Sequence, residues 1–180
     1  MRSSRRVFLF IAASVDGFIA RPDGGIDWLA RVETEGEDYG YARFIEQVDT
    51  VIMGRHTYDT VLGFGLPFPH LGRTCYVLSR TRTGADDNVR YYAGHPAELV
   101  QELRQRPGKH IFLDGGAQAL AAFMAQDLVD DYIVSTIPVL LGEGIPLFSG
   151  RQAQELPLQL VSSTAYASGL VQRHYQRVRS

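Results

Sequence analysis

The feature that most limits the fold of this chain is a corner that occurs twice, where a short apolar strand stops at glycine and a helix begins. Residues 51–53 lead into Gly54, and residues 111–113 lead into Asp114, Gly115 and Gly116. Strands that alternate with helices form mostly parallel sheets, which hold ligands at the carboxyl ends of their strands. Free amide groups at a helix start bind anions. The two corners therefore predict an α/β fold with two phosphate seats, which suits a nucleotide cofactor.

Length and composition limit the class of protein and its partners. With 180 residues, 45% of them hydrophobic, the chain is expected to form one domain over residues 1–180. A net charge of −2 predicts no nucleic-acid partner. No run reaches the ~18 apolar residues that span a bilayer, so no membrane is predicted. Cys75 is the one cysteine and favours a cytoplasmic location, and no histidine spacing predicts a metal site.

The first residues allow two interpretations. The segment Ser4-Arg5-Arg6-Val7-Phe8-Leu9 is similar to a twin-arginine export signal. However, the apolar run from Val7 to Ala13 is at the short limit for such a signal, and Asp16 interrupts it. The preferred interpretation is a buried first strand that follows a frayed basic tail.

The pattern of apolar residues, glycines and prolines predicts strands that alternate with helices and a strand-rich end. A turn at residues 166–169 joins the last two strands, so an antiparallel edge is expected there. Residues 16–20 are predicted to be a short extended segment and residues 22–29 a turn. The predicted strands are 7–14, 50–53, 74–79, 89–92, 110–113, 132–138, 158–165 and 170–178, and the predicted helices are 39–47, a short one from about residue 57, 96–106 and 117–125.

Basic and hydroxyl side chains stand at the first corner and beyond the third predicted strand. Arg55 is suited to grip a phosphate through two parallel N–H bonds, and Thr57 to cap the helix or donate to a phosphate oxygen. Ser79 and Arg80 suit the 2′-phosphate that distinguishes NADP from NAD, a role that Arg82 can share. The structural alternatives are that Arg55 and Thr57 only form a solvated helix start, and that Ser79 and Arg80 only form the polar end of a strand.

Two loop carboxylates follow the first strand, Asp16 and Asp27. A buried carboxylate beside an apolar ring has a raised pKa and can relay a proton, although most loop aspartates cap turns. Trp28, the only tryptophan, either covers a flat ligand or anchors the loop.

Taken in order, five segments resemble the dihydrofolate-reductase-like family, of the type that forms the reductase domain of bifunctional riboflavin-biosynthesis deaminase-reductases. The resemblance implies a three-layer α/β fold with a mostly parallel sheet of about eight strands and an antiparallel C-terminal edge. The segments are Ser14-Val15-Asp16-Gly17-Phe18-Ile19-Ala20, Ile52-Met53-Gly54-Arg55-His56-Thr57-Tyr58, Val77-Leu78-Ser79-Arg80, Asp114-Gly115-Gly116-Ala117 and residues 129–148.

The resemblance also implies NADPH as the cofactor. Residues 55–57 and 79–80 would meet its adenosine half, and residues 115–118 its pyrophosphate and nicotinamide. Ala13 and Ile19 would border the nicotinamide ring. Besides Ala13 and Ile19, the full set of implied cofactor contacts is Gly54, Arg55, His56, Thr57, Leu78, Ser79, Arg80, Asp114, Gly115, Gly116, Ala117 and Gln118.

Two features depart from the family pattern. Dihydrofolate reductases carry a substrate-binding carboxylate at the start of the first helix, where this chain offers Asp38. The riboflavin reductases are fused to a deaminase with zinc-binding histidines and cysteines, which is missing from this sequence, and their phosphoribose-binding residues are not evident. The reductase fold is therefore expected, while the natural substrate does not follow from the resemblance.

The sequence predicts an NADPH-dependent reductase that transfers a hydride to a small heterocycle, or to a related imine or carbonyl compound. Asp16 and Asp27 are the predicted catalytic residues, and the strand-rich end at residues 158–178 predicts a homodimer. The alternatives are a non-catalytic nucleotide-binding or regulatory module on the same fold, and a riboflavin-pathway reductase proper. The predicted walls of the substrate pocket are Trp28, Tyr41, Phe44, Tyr58 and Leu62.

Overall fold

The computed structural model describes residues 5–149 and 155–179, which form a central sheet with helices on both faces. The helices are a 3₁₀ helix at Asp27–Val32 and four α-helices, α1 Tyr41–Ile45, α2 Arg55–Gly63, α3 Pro96–Gln105 and α4 Ala117–Met124. The strands are β1 Val7–Ser14, β2 Phe18–Ala20, β3 Val48–Gly54, β4 Thr74–Leu78, β5 Arg90–Tyr92, β6 His110–Leu113, β7 Asp131–Ile137, β8 Ile145–Pro146, β9 Leu158–Ala165 and β10 Val171–Arg177.

The main sheet has eight strands in the order β5-β4-β3-β6-β1-β7-β10-β9. The six strands from β5 to β7 are parallel, whereas β10 runs antiparallel to both β7 and β9. The expected α/β class with a mostly parallel sheet and an antiparallel C-terminal edge is therefore confirmed. All six parallel strands end at the same edge of the sheet, which is where the predicted corners lie.

The parallel strands are apolar on both faces because helices cover both faces. Val51, Ile52 and Met53 of β3 are fully buried. Ile52 packs in the cluster that contains α3 and α4, and its two neighbours pack in the cluster that contains α1 and α2. This sandwich places the starts of α2 and α4 on opposite faces of the same sheet edge.

Helix α1 is shorter than the predicted helix at residues 39–47. Tyr39 and Gly40 have φ values of 55° and 80°, which a right-handed helix does not permit. The Asp38 carboxylate accepts hydrogen bonds from the amides of Gly40 and Ala42, at 2.9 and 2.8 Å. The bond from Ala42 and then that from Gly40 hold the pKa of Asp38 below its usual range. Asp38, suggested above as a substrate-binding carboxylate, therefore caps α1.

Two short elements were not predicted, the 3₁₀ helix and β8. The segment predicted as a turn at residues 22–29 runs into the 3₁₀ helix, and β2, which lies in the segment predicted to be extended, pairs with β8 in a small second sheet. A Cβ on Gly144 would lie 2.3 Å from the carbonyl oxygen of Ala20, so only glycine permits this close approach. Pairs of strands that are two or three residues long leave no periodic pattern in a sequence.

Charged side chains bind neighbouring elements together at the opposite edge of the sheet, where the parallel strands begin. Arg5 is buried and contacts Asp49 and Thr50, so the tail expected to be frayed is ordered from residue 5, and residues 1–4 lie outside the described residues. Asp130 accepts hydrogen bonds from the Val7 amide at 2.7 Å and from Arg104 at 2.5 Å. Across residues 5–149 and 155–179, no helix is both long and apolar enough to pass through a membrane.

Candidate functional site

The two strand–glycine–helix corners lie side by side. Strands β3 and β6 are parallel neighbours, and the Asp114 amide donates to the carbonyl of Ile52 at 2.9 Å. A Cβ on Gly116 would lie 3.0 Å from Thr57 Oγ1 and 3.5 Å from the backbone of Gly54. The starts of α2 and α4 are therefore in direct contact, as the sequence predicted, and the surface at Gly54, Gly115 and Gly116 is called the groove below.

The groove offers unpaired amide groups and open space. Gly54 and Gly116 are the N-cap residues of α2 and α4, and neither helix has a side-chain cap that would occupy its first amides. Gly115 has a φ of 81°, and no atom lies within 4 Å of the position that its Cβ would take. The side chains of Arg55 and His56 make no hydrogen bond or ion pair with the described part of the chain, although the His56 carbonyl accepts a hydrogen bond from Thr60 Oγ1 at 2.9 Å. These features fit a phosphorylated cofactor that approaches the backbone closely.

In the loop after β4, Ser79 and Arg82 have structural roles, whereas the charge of Arg80 is available to a ligand. Ser79 Oγ accepts hydrogen bonds from the amides of Thr81 and Arg82, at 3.3 and 2.9 Å, and so shapes the turn. Arg82 binds both carboxylate oxygens of Asp59 on α2, at 2.6 and 3.1 Å, and is not free for the phosphate role suggested above. Arg80 is exposed and has no such partner within residues 5–149 and 155–179. Arg80 is thus the available cation at this end of the groove.

The two predicted catalytic carboxylates make local structural contacts. Asp16 accepts hydrogen bonds from Ser14 Oγ and from the amides of Leu141 and Gly142, at 2.6, 3.1 and 2.8 Å. The Ser14 bond is the main cause of a pKa below the usual range for Asp16. Asp27 is exposed, and its hydrogen bond with Arg21 lowers its pKa as well. The expected raised pKa is therefore wrong for both groups, because neither is buried beside an apolar ring.

A cavity of about 630 Å³ lies between the 3₁₀ helix, the start of α1 and the sheet at β1 and β7. At its floor, Gln172 Nε2 donates to Ser135 Oγ at 3.1 Å and to the carbonyl of Tyr39 at 3.0 Å. This bonding fixes the left-handed Tyr39 backbone that forms part of the wall. The lining residues are Phe10, Ala12, Leu29, Val32, Glu33, Thr34, Glu35, Glu37, Asp38, Tyr39, Tyr41, Ser135, Ile137 and Leu170.

Only one of the five predicted pocket walls, Tyr41, lines this cavity. Trp28 is buried behind it in a cluster with lining residues, and Phe44 belongs to the core. The Tyr58 hydroxyl donates to Asp86 at 2.9 Å, and Leu62 is exposed on the same helix. A substrate contact of these four residues stays a prediction, because the apolar pattern of the sequence does not reveal which side chains the rest of the fold covers.

A histidine that the sequence did not single out contacts the second corner. His70 Nε2 lies 2.5 Å from Asp114 Oδ2, and the imidazole is almost completely buried while the Asp114 side chain remains 28% exposed. The two residues are far apart in sequence, and His70 stands in an irregular loop. The polar residue before the two glycines was the only signal of this pair.

The charge of the cavity is negative. Four carboxylates, those of Glu33, Glu35, Glu37 and Asp38, are among its lining residues, and no lysine or arginine is present in the described lining. Burial, and second the charge of Asp114, raises the pKa of Tyr41 to about 12. The Tyr41 hydroxyl therefore keeps its proton at neutral pH and can donate a hydrogen bond into the cavity.

Comparison with known proteins agrees with this fold. The family described as the RibD C-terminal domain matches residues 75–172, more than half of the chain. Two Bacillus subtilis strain 168 proteins are similar over nearly their whole length. The uncharacterized protein YwjB is 40% identical over 96% of this chain and 98% of its own. The uncharacterized protein YyaP is 34% identical over 95% of this chain and 94% of its own. The chain belongs to the RibD C-terminal domain family.

Solved structures show the same architecture. A proposed riboflavin biosynthesis protein from Shewanella sp. PV-4 superposes with a TM-score of 0.89 at 32% identity, covering 97% of this chain and 99% of its own. A Thermotoga maritima diaminohydroxyphosphoribosylaminopyrimidine deaminase/5-amino-6-(5-phosphoribosylamino)uracil reductase gives a TM-score of 0.73 at 14% identity, over 97% of this chain and 57% of the enzyme. The second similarity concerns the fold alone.

Proposed function

We propose that this chain is an NADPH-dependent reductase that transfers a hydride to a small planar heterocycle of the pteridine or pyrimidine type. The observation that carries the proposal is the direct contact between two uncapped helix starts beside the open face of Gly115. Two adjacent amide clusters suit a pyrophosphate, and the unpaired Arg80 suits a 2′-phosphate. Membership of the RibD C-terminal domain family, together with the similarity in fold to the Thermotoga maritima deaminase/reductase, supports a reductase.

The chain's own residues would act by binding and orientation. The amides of α2 and α4 would hold the phosphates, and the bound cofactor would supply the hydride. Ala12, which lines the cavity, and Ala13, the inferred nicotinamide contact, both lie near the carboxyl end of β1, but on opposite faces of the sheet. The nicotinamide would therefore have to meet a substrate at the end of this strand, and such positioning alone provides a large part of a rate enhancement.

The cavity favours a substrate that is rich in hydrogen-bond donors and carries no phosphate. Its four carboxylates would repel an anionic group, and no basic side chain of the described lining would compensate. Amino-substituted pteridines and pyrimidines match this chemistry. Family membership favours a second candidate, the phosphoribosylaminopyrimidine of riboflavin biosynthesis, so both compounds belong in a test.

Titration with NADPH and NADH tests the cofactor assignment. We expect a Kd for NADPH well below 0.1 mM, since Michaelis constants of enzymes lie at roughly 1 µM to 1 mM. Arg80→Ala should weaken NADPH binding about 10- to 100-fold, the equivalent of ~1.5–3 kcal/mol for a hydrogen bond to a charged group, and leave NADH unchanged. Arg106→Ala is the matched control, because Arg106 lies beyond α3 at the other edge of the sheet.

The outcomes separate the candidate functions. An amino-pteridine or aminopyrimidine that is reduced faster than its phosphoribosyl counterpart supports the proposal, and the reverse preference supports the riboflavin-pathway reductase. Tight NADPH binding without reduction of any compound in the panel indicates the non-catalytic module. Absence of NADPH binding at 0.1 mM contradicts all three, since the usual range is about 1 µM to 1 mM.

We also propose that the protein works as a homodimer in the cytoplasm, where its single unpaired cysteine stays reduced. Strand β9 is the last strand of the sheet, and all eight of its residues are exposed, including Leu158, Leu160 and Val161. Such an edge pairs readily with a second copy. Light scattering at micromolar concentration should give a dimer mass, and Leu160→Lys should give a monomer. A monomeric wild-type protein would rule this assembly out.

A further inference from the structure

One wall of the cavity is attached to the rest of the fold at few points. Residues 33–38, called the acidic wall below, are all exposed, and each of them except Gly36 lines the cavity. Among the described residues, their hydrogen bonds reach only residues 30–42, so none of these bonds ties the segment to the sheet. The contacts of the next residue, Tyr39, therefore decide how firmly the acidic wall is held.

Tyr39 has a backbone conformation that a bulky side chain disfavours. Its φ is 55°, and only Asp127 shares a positive φ with it among the residues other than glycine in the described part of the chain. A left-handed backbone costs an L-residue free energy, so it persists only where the surrounding contacts impose it. Such strain is typical of positions that a functional site requires in one fixed geometry.

Three of the contacts that hold Tyr39 come from the β9–β10 end of the chain. Gln172 Nε2 of β10 donates to the Tyr39 carbonyl at 3.0 Å. The Tyr39 ring packs edge-on against Tyr166, with ring centroids 4.8 Å apart. The Tyr39 hydroxyl lies 2.9 Å from Ser168 Oγ and also bonds to the Val32 carbonyl. Because a carbonyl only accepts, Tyr39 donates to Val32, and Ser168 is left as the donor to the Tyr39 oxygen.

The turn at residues 166–169, called the hairpin turn below, is fixed by its own contacts. The Tyr166 amide donates to the Leu170 carbonyl, and the Gly169 amide donates to the Tyr166 carbonyl, both at 2.9 Å. Strands β9 and β10 pair along their length behind it. Tyr166 and Ser168 are not among the residues that line the cavity, whereas Tyr39 is. A hydrogen-bonded hairpin outside the cavity thus reaches the acidic wall through Tyr39.

We propose that the hairpin turn is a positioning element of the substrate cavity, and that Tyr39 and Ser168 are positioning residues that hold the acidic wall against it. Loss of the bond between them lets the left-handed backbone relax, so the carboxylates of the wall move away from a bound ligand. The ligand class is an amino-substituted pteridine or pyrimidine, whose N–H groups suit those carboxylates. This inference rests on the proposed function only in taking the cavity as the substrate site.

Digestion of the folded protein with a glutamate-specific protease measures how often the acidic wall opens. Glu33, Glu35 and Glu37 supply cleavage sites in the wall, and Glu102 on α3 is the internal reference for unfolding of the whole domain. We expect Ser168→Ala to speed cleavage of the wall about 3- to 10-fold, because a lost hydrogen bond shifts a local opening equilibrium by that factor and proteolysis follows the open population. Cleavage at Glu102 should not change.

Two further serine variants make this measurement specific. Ser163→Ala makes the same change at an exposed residue of β9, away from Tyr39, and should be cleaved like the wild type. Ser168→Thr keeps the hydroxyl group and should restore at least part of the wild-type rate. Equal cleavage of the acidic wall in Ser168→Ala and Ser163→Ala overturns the proposal. Cleavage of Ser168→Thr as fast as that of Ser168→Ala overturns the role of the hydroxyl group.

Calorimetric titration with 2,4-diaminopyrimidine and 2,4-diaminopteridine connects the acidic wall to binding. We expect Ser168→Ala to bind the tighter of the two compounds about 3- to 10-fold more weakly than the wild type, and Ser163→Ala to bind it equally well. Binding that is unchanged in Ser168→Ala overturns the positioning role. A wild-type protein that binds neither compound at about 1 mM, the upper end of the usual range for substrates, overturns the assignment of the wall to the substrate site.

The positioning role and the proposed function fail in different ways. If Ser168→Ala speeds cleavage of the wall and weakens binding while the wild type does not bind NADPH, the reductase assignment falls and the role of the hairpin turn stands. If NADPH binds and Ser168→Ala behaves like Ser163→Ala in both measurements, the role of the hairpin turn falls and the reductase assignment stands. Should Ser168→Ala fail to fold, Tyr39→Phe decides: faster cleavage of the wall at an unchanged rate for Glu102 supports the proposal, and unchanged cleavage overturns it.

Discussion

Replacing Gly116 with valine should abolish NADPH binding and lower the free energy of unfolding by several kcal/mol. Gly116 has a φ of 89°, and a Cβ there would press on Thr57 Oγ1 at 3.0 Å and on the backbone of Gly54. The left-handed backbone costs an L-residue about 1–2 kcal/mol, and the overpacking adds about 1–3 kcal/mol. Both effects push the starts of α2 and α4 apart, so the groove loses its geometry. Urea unfolding and calorimetric titration with NADPH measure the two losses.

Gly115→Ala is the matched control for the backbone. Gly115 has a φ of 81°, but its Cβ would meet no atom within 4 Å. The free energy of unfolding should therefore fall only by the backbone cost of about 1–2 kcal/mol. If the cofactor occupies this open space, the added methyl group should still weaken NADPH binding. A Gly116→Val protein that binds NADPH as tightly as the wild type would show that the groove is not the cofactor site.

Removing the Asp130 carboxylate at the amino-terminal edge of the sheet should destabilise the protein. Asp130 binds the Val7 amide, Arg104 and Arg179, and its side chain is only 10% exposed. Asp130→Ala leaves the buried Val7 amide without its acceptor, which costs about 1–3 kcal/mol. It also removes one ion pair from each of two arginines that are 33% and 40% exposed, which costs at most about 1 kcal/mol each. Urea unfolding should show this loss.

The control and the binding measurement separate stability from function. Glu102→Ala breaks an exposed pair with Arg106 one turn away and should cost only about 0.3–0.5 kcal/mol. Asp130 lies at the amino-terminal edge of the parallel strands, opposite the proposed cofactor groove. The folded Asp130→Ala protein should therefore bind NADPH like the wild type. A loss of unfolding free energy below about 1 kcal/mol would contradict the argument from the unsatisfied Val7 amide.

The positions of several strands along the chain were predictable because their signals are local. The bounds of β6 and β9 agree with the expected segments 110–113 and 158–165, and β1 agrees with 7–14. A strand that is buried on both faces shows as an unbroken apolar run, and glycine marks where it must turn. These signals also placed the two corners at one edge of the sheet, since parallel strands end together.

The pocket was harder to predict because its walls meet only in the folded chain. Ser135 and Gln172 meet across strands β7 and β10, and Tyr39 joins them from a loop before α1. Tyr58 and Leu62 have the same apolar character as Tyr41, yet one faces the core and the other the solvent. A helical pattern shows which residues share a face of the helix, but not whether another structural element or solvent covers that face.

The sequence determined the alternation of strands and helices and the places where backbone amides are exposed, because strand propensity, glycine geometry and helix starts act over a few residues. Only the tertiary structure decided which carboxylate is free to meet a ligand. Asp16, Asp27 and Asp114 all follow short structured segments, but Asp27 finds its partner Arg21 within its own loop, and Asp16 is held by Ser14 and by two amides 125 and 126 residues away. The third is bonded to His70, which lies 44 residues away in the chain. Hydrogen-bond partners that are distant in sequence, together with burial, set the chemistry of each group, and both exist only after folding.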